Sequence, residues 1–223
     1  MSITLTRVPL DLTRSGTRRK LASEQVMHAV IAAATDAGVE RRVLWRIDGE
    51  AAQRTLYVVS PGVPDTSRLS QELLVDEDAI ESRAYQPLLD SLSTGQEFRF
   101  RLRANPIINK YREGRDQRSA RVPLVGLEAQ LGWLERQAER HGFELARSRM
   151  GQPEVLLHGQ ENMQFSKQNG RIVTIRAVVF EGILRVTDAE LVRSALVSGV
   201  GPAKAYGCGL LTLAPVSGLH HDV

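Results

Sequence analysis

The chain has 223 residues, 42% hydrophobic and 25% charged, the balance of an ordinary globular protein long enough for one large or two small cores. Its formal charge is only +3, and the single cysteine, Cys208, excludes an internal disulfide and a cysteine-clustered zinc site. With no signal-like or membrane-spanning apolar run, the cytoplasm is the expected compartment.

Ile3, Leu5, Arg7 and Val8 predict a first strand, and the segment from Ser23 to about Asp36 a helix capped by Ser23 and closed near Gly38. Val43–Ile47 and Thr55–Val59 flank Asp48-Gly49 as a hairpin. An acidic stretch leads to a short helix around Tyr85–Leu92 and then a strand over Phe98–Ala104. This β-α-β-β-α-β order is the ferredoxin-like unit. It recurs with a strand at Arg121–Leu124, a helix over Leu127–His141 and an extended section from Val155. Asn169-Gly170 marks a hairpin into the β-branched run Arg171–Phe180, and a helix over Asp188–Val197 and a strand over Leu210–Leu213 complete the order. The expected fold is α+β, two tandem ferredoxin-like (RRM-like) units with a cleft between them. Their expected boundaries are 1–104 and 121–215, with a basic connector at 105–120 and a tail at 216–223.

Charge is unevenly placed. Between positions 99 and 121, Arg99, Arg101, Arg103, Lys110, Arg112, Arg115, Arg118 and Arg121 face only Glu113 and Asp116, whereas from Pro61 to Glu97 acidic residues outnumber basic ones eight to two. One region attracts phosphate and its neighbour repels it, the pattern of a protein that binds nucleic acid on one face, unless the two runs are merely solvated. In Phe98–Arg103 apolar and basic residues alternate, which sets three arginines on one face of a strand, suited to phosphate oxygens. Only 5% of residues are aromatic, so base stacking is a poor basis for recognition and a folded RNA stem is the better guest.

The run from Ser198 to Leu211 contains Gly199, Gly201, Gly207 and Gly209 together with Lys204. Converging backbone N–H groups and a lysine suit phosphate, but Ala205 follows Lys204 and the loop runs from helix to strand, which fits neither a P-loop nor a dinucleotide loop. The alternative is a tight left-handed connection. Among five histidines, His28 falls on the rim of a helical stripe formed by Met27, Val30, Ile31 and Ala34, where an imidazole is either held structurally or faces a cleft as an acid or base. Asp76-Glu77-Asp78, the one acidic cluster, reads as solvated helix-start charge, so no metal and no cofactor is implied. The chemistry that remains is attack by an RNA 2′-hydroxyl on its own phosphate, which leaves DNA bound but uncut.

Phe100-Arg101-Leu102-Arg103-Ala104-Asn105-Pro106, Arg121–Leu124, Trp133-Leu134, Phe180–Leu184 and the glycine run Gly199–Leu211 together resemble the CasE endoribonucleases of type I-E CRISPR systems, most sharply from Phe98 to Pro215. The resemblance implies binding of a CRISPR repeat stem-loop, metal-free cleavage at the base of the stem and retention of the product as a Cascade subunit. It makes His28 the match for the family's catalytic histidine. Gln25 stands where the family often carries a tyrosine, with Lys167 a second supporting position. Lys167 and Arg171 match a basic hairpin laid on the RNA, Lys110–Arg118 a basic loop near the stem, and Lys204 remains a candidate phosphate contact.

Overall fold

A computed structural model describes residues 2–35, 42–110, 120–166 and 172–216. The chain forms two compact units, Met1–Leu92 with Arg193–Leu210, and Ser93–Val192 with Leu211–Val223.

The first unit contains β1 (Ile3–Asp11), α1 (Ser15–Leu21), α2 (Glu24–Ala34), β2 (Leu44–Asp48), β3 (Gln53–Pro61), α3 (Thr66–Leu73), β4 (Glu81–Ala84) and α4 (Gln86–Ser91). Its antiparallel sheet has the order β2-β3-β1-β4, the ferredoxin-like arrangement. Period-two alternation turns Val8 and Leu10 of β1 and Leu56 and Val58 of β3 into one core with Met27, Ile31, Leu69 and Leu73. Ser23 caps α2 by accepting from the Val26 N–H, and Asp65 caps α3 by accepting from the Arg68 N–H. Thr17 of α1 donates to the Leu73 carbonyl at 2.9 Å, tying α1 to the end of α3.

The second unit contains β5 (Glu97–Ala104), β6 (Ile107–Lys110), β7 (Ala120–Pro123), α5 (Leu127–Arg140), β8 (Phe143–Leu145), β9 (Val155–Ser166), β10 (Ile172–Val186) and β11 (Leu211–Pro215). Helix α6 (Ala189–Ser198) begins in this unit, and its residues from Arg193 onward belong to the first. The sheet order is β11-β5-β10-β8, with β9 along β10, which repeats the ferredoxin-like order with β5 as its first strand. Phe100, Leu102, Trp133, Leu134, Phe143, Phe180 and Leu184 are buried, and Trp133 stacks on Phe180 with centroids 6.1 Å apart.

The structure differs from the expected boundaries by one strand. Phe98–Ala104 was expected to close the first sheet, but β5 pairs with β10 and β11, and the strand that closes the first sheet is β4. β4 is four largely exposed residues, Glu-Ser-Arg-Ala, without the β-branched and aromatic side chains that announce a strand. The expected strand at Arg121–Leu124 forms β7, which among the described residues pairs with β6 in a separate two-stranded sheet. The glycine-rich run, assigned by sequence to the C-terminal unit, lies in the first. No helix among the described residues is long and apolar enough to cross a membrane.

Candidate functional site

Helix α2 buries Met27, Val30, Ile31 and Ala34 and leaves Gln25 and His28 exposed. The imidazole is therefore exposed on a helix whose neighbouring face is packed in the core. An imidazole so placed is open to a bound substrate.

The glycine-rich run is a clip on this same unit. The Gly199 N–H donates to the Ala195 carbonyl, and Val200 N–H donates to Gly209 at 2.9 Å, so these loop amides are engaged within the fold instead of lining an anion cradle. Both glycines are required: each has positive φ, and a Cβ on Gly199 would stand 2.7 Å from Leu44, one on Gly209 3.0 Å from the Val200 carbonyl. A 3-10 turn, Lys204–Tyr206, contacts both α2 and β2. Sequence reasoning set the glycine run and His28 at opposite ends of the chain; the structure brings the run onto the helix that carries His28. The Lys204 ammonium donates to the Ser198 carbonyl at 2.6 Å, at the end of α6. Burial, and then the nearby Arg42 charge, holds its pKa below the ordinary lysine value. Both cations line a cavity of about 390 Å³ with Ser198 and Val59.

Arg46 is a residue that sequence reasoning missed. Only 2% exposed, it donates through Nε and Nη2 to the two carboxylate oxygens of Asp48 at 2.7 Å each, and through Nη1 to the Leu210 carbonyl at 2.8 Å. Its guanidinium carbon lies 6.0 Å from the centre of the Tyr57 ring. The signal was present in Leu44-Trp45-Arg46-Ile47-Asp48: an arginine inside an apolar strand, with a carboxylate two residues on and so on the same face. Tyr85 is also buried, and that burial pushes its phenol above the ordinary tyrosine value against the opposing charge of Arg46.

In the second unit, β5 does set Arg99, Arg101 and Arg103 on one face, but their surroundings differ. Arg99 is exposed; Arg101 is ion-paired with Glu181 of β10; Arg103 is buried and paired with Glu161 of β9 at 2.7 Å. Glu181 also lies 3.3 Å from His158 Nε2. Sequence alternation gave the face of the arginines, while the neutralising glutamates come from strands far away in the chain. Arg99, Arg101, Glu181 and Thr212 line a groove of about 730 Å³ on this sheet face. Lys110 ends β6, but its side chain, together with Arg112, Arg115, Arg118, Lys167 and Arg171, lies outside the described residues.

A family model described as CRISPR associated protein matches residues 4–215. The chain belongs to this CRISPR-associated family. Within it, the CRISPR-associated endoribonuclease Cse3 of Thermus thermophilus is 32% identical over 220 residues, covering 95% of this chain and 99% of that protein. The CRISPR system Cascade subunit CasE of Escherichia coli is 36% identical over 132 residues, covering 56% and 61% of the two chains. A solved structure of Cse3 bound to a 19-nucleotide RNA matches with a TM-score of 0.78 at 32% identity, over 95% of this chain and 100% of that one. These similarities make the chain a CasE-type member with the expected tandem ferredoxin-like fold.

Proposed function

We propose that this CasE-type chain is a metal-independent endoribonuclease of the cytoplasm that binds the stem-loop of CRISPR repeat precursor RNA, cuts at the base of its stem and remains bound as a Cascade subunit. The similarity to Cse3 along nearly the whole chain supports the activity. The observation that carries the site assignment is His28, exposed at the rim of a helix fixed by its buried face.

In this reading the ribose 2′-oxygen attacks the adjacent phosphorus and the bond to the 5′-oxygen breaks, giving a 2′,3′-cyclic phosphate and a 5′-hydroxyl. The 2′-hydroxyl loses its proton and the leaving oxygen gains one, so the step balances without water or an electron carrier. His28 moves one of these protons, and cations along the RNA path neutralise the charge that develops on phosphorus oxygens. Exposed Arg99 is available for phosphate, and Arg101 becomes so where phosphate displaces Glu181. Lys110, Arg112, Arg115, Arg118, Lys167 and Arg171 join the proposed RNA-binding set by sequence position, whereas Arg103, buried and paired with Glu161, is open to phosphate only where that pair parts. Lys204 is assigned there as well, although its ammonium already serves the Ser198 carbonyl.

The nucleophile belongs to the RNA, which supplies the test. A repeat hairpin with a single 2′-deoxy residue at the scissile nucleotide is expected to bind as the ribose form does and stay intact; its cleavage would contradict the mechanism. A second reading, an RNA-binding subunit without efficient cleavage, is favoured by Gln25 standing where the family often carries a tyrosine. Incubation of the wild-type chain with its own repeat RNA decides between the two by the presence or absence of the cut product.

A further inference from the structure

We propose that Arg46 is a positioning residue for RNA cleavage, acting by fixing the closing end of the glycine-rich clip against the helix that carries His28. The inference rests on the functional reading above.

A buried ion pair adds little net stability over a well-packed apolar pair, because both charges lose their hydration. What the planar guanidinium adds is direction, since its donors leave in one plane at fixed angles. Nε–H and one Nη2–H of Arg46 close on the two oxygens of Asp48, which fixes the plane, and an Nη1–H is thereby aimed at the Leu210 carbonyl. Leu210 is the last residue before β11 and the point at which the clip closes.

The clip transmits that position because it has little freedom of its own. At its start, Lys204 binds the Ser198 carbonyl; across its neck, Val200 binds Gly209; and a Cβ on either neck glycine would crowd its neighbours. Between these ties, the Lys204–Tyr206 turn packs on α2 and β2. The path from the guanidinium through Leu210 and the clip to α2 is therefore continuous. Nothing in it requires Arg46 to touch RNA. Displacements of about 1 Å remote from a reacting centre lower rates by about 100-fold, so a loosened clip is expected to slow cleavage more than it weakens binding.

The test uses the full chain and two variants. Arg46→Lys keeps the charge opposite Asp48 but cannot span both carboxylate oxygens and the Leu210 carbonyl. The double variant Arg46→Met, Asp48→Leu removes both charges and so leaves no orphan in the core. Three readouts are taken: the single-turnover cleavage rate at saturating hairpin, the Kd for the uncleavable 2′-deoxy hairpin, and hydrogen exchange of the Gly199 and Val200 amides. For both variants the rate is expected to fall by about 10- to 100-fold, the Kd to stay near wild type and clip amide exchange to accelerate.

An unchanged rate in a folded variant overturns the proposal, as does a Kd that worsens in step with the rate. Failure of both variants to fold assigns Arg46 to stability alone and overturns it too. A wild-type chain that does not cut overturns the functional reading and the catalytic half of this inference with it. Unaccelerated exchange in variants of a cutting enzyme overturns the inference alone.

Discussion

In the first unit Arg46 lies 2% exposed with its fork closed on Asp48 and Leu210, whereas in the second unit Arg101 and Glu181 form a pair whose side chains remain 33% and 31% open to solvent. Both arginines sit on strands and both are paired with carboxylates. Exposure separates them: water and an incoming phosphate reach the half-open pair, so its carboxylate can be exchanged for RNA, while the closed pair can only hold its neighbours in place. Exposed Arg99, one step of the same alternation away from Arg101, has no such competitor among the described residues. A row of basic residues in a sequence thus divides into fixing and binding arginines only when the strands that bring the carboxylates are known.

The largest effect that tests this division is on stability. Asp48→Ala leaves the buried Arg46 charge without its carboxylate and is expected to lower unfolding free energy by about 3–5 kcal/mol in urea titration; a loss comparable to that of a surface pair would erase the distinction. Next, Arg99→Ala should leave stability unchanged and reduce the slope of log affinity against log salt for the hairpin by about one, the mark of a lost phosphate contact. An unchanged slope would remove Arg99 from the RNA path.

The smallest effect belongs to Lys20 and Glu72, a partly exposed pair of the first unit. The Lys20 ammonium, by hydrogen bond and then by charge, holds the Glu72 carboxyl below its ordinary value. A carboxyl depressed in the folded state contributes stability above its unfolded pKa and loses it as pH falls through the depressed one. Lys20→Met is therefore expected to lower stability by less than about 1 kcal/mol at neutral pH, with the difference fading in acid. A difference that persists undiminished in acid would show that the lysine acts by packing.

How much was legible in the sequence follows the same line between local and distant causes. The Ser23 cap, the apolar stripe of α2, the hairpin at Asp48-Gly49 and the alternation of β5 are local patterns, and each appears in the structure. Which sheet β5 joins is a property of distant pairing, and the short polar strand β4 gave nothing to compete with it, so the expected boundary shifted by one strand. Helix α3 was equally quiet, with Leu69 and Leu73 alone marking its buried face. At the candidate site, His28 was visible through helical spacing. The clip's contact with α2 and its tie to Arg46 were not, because both join segments roughly at opposite ends of the chain.

In the proposed mechanism, chemistry resides at His28 while affinity resides in the cationic surfaces. The most direct measurement is cleavage and binding of a repeat hairpin by His28→Ala, taken side by side with the wild-type chain. Loss of about 10²- to 10⁴-fold in cleavage rate with binding retained is the predicted result. Full activity, or equal loss of cleavage and binding, would contradict it.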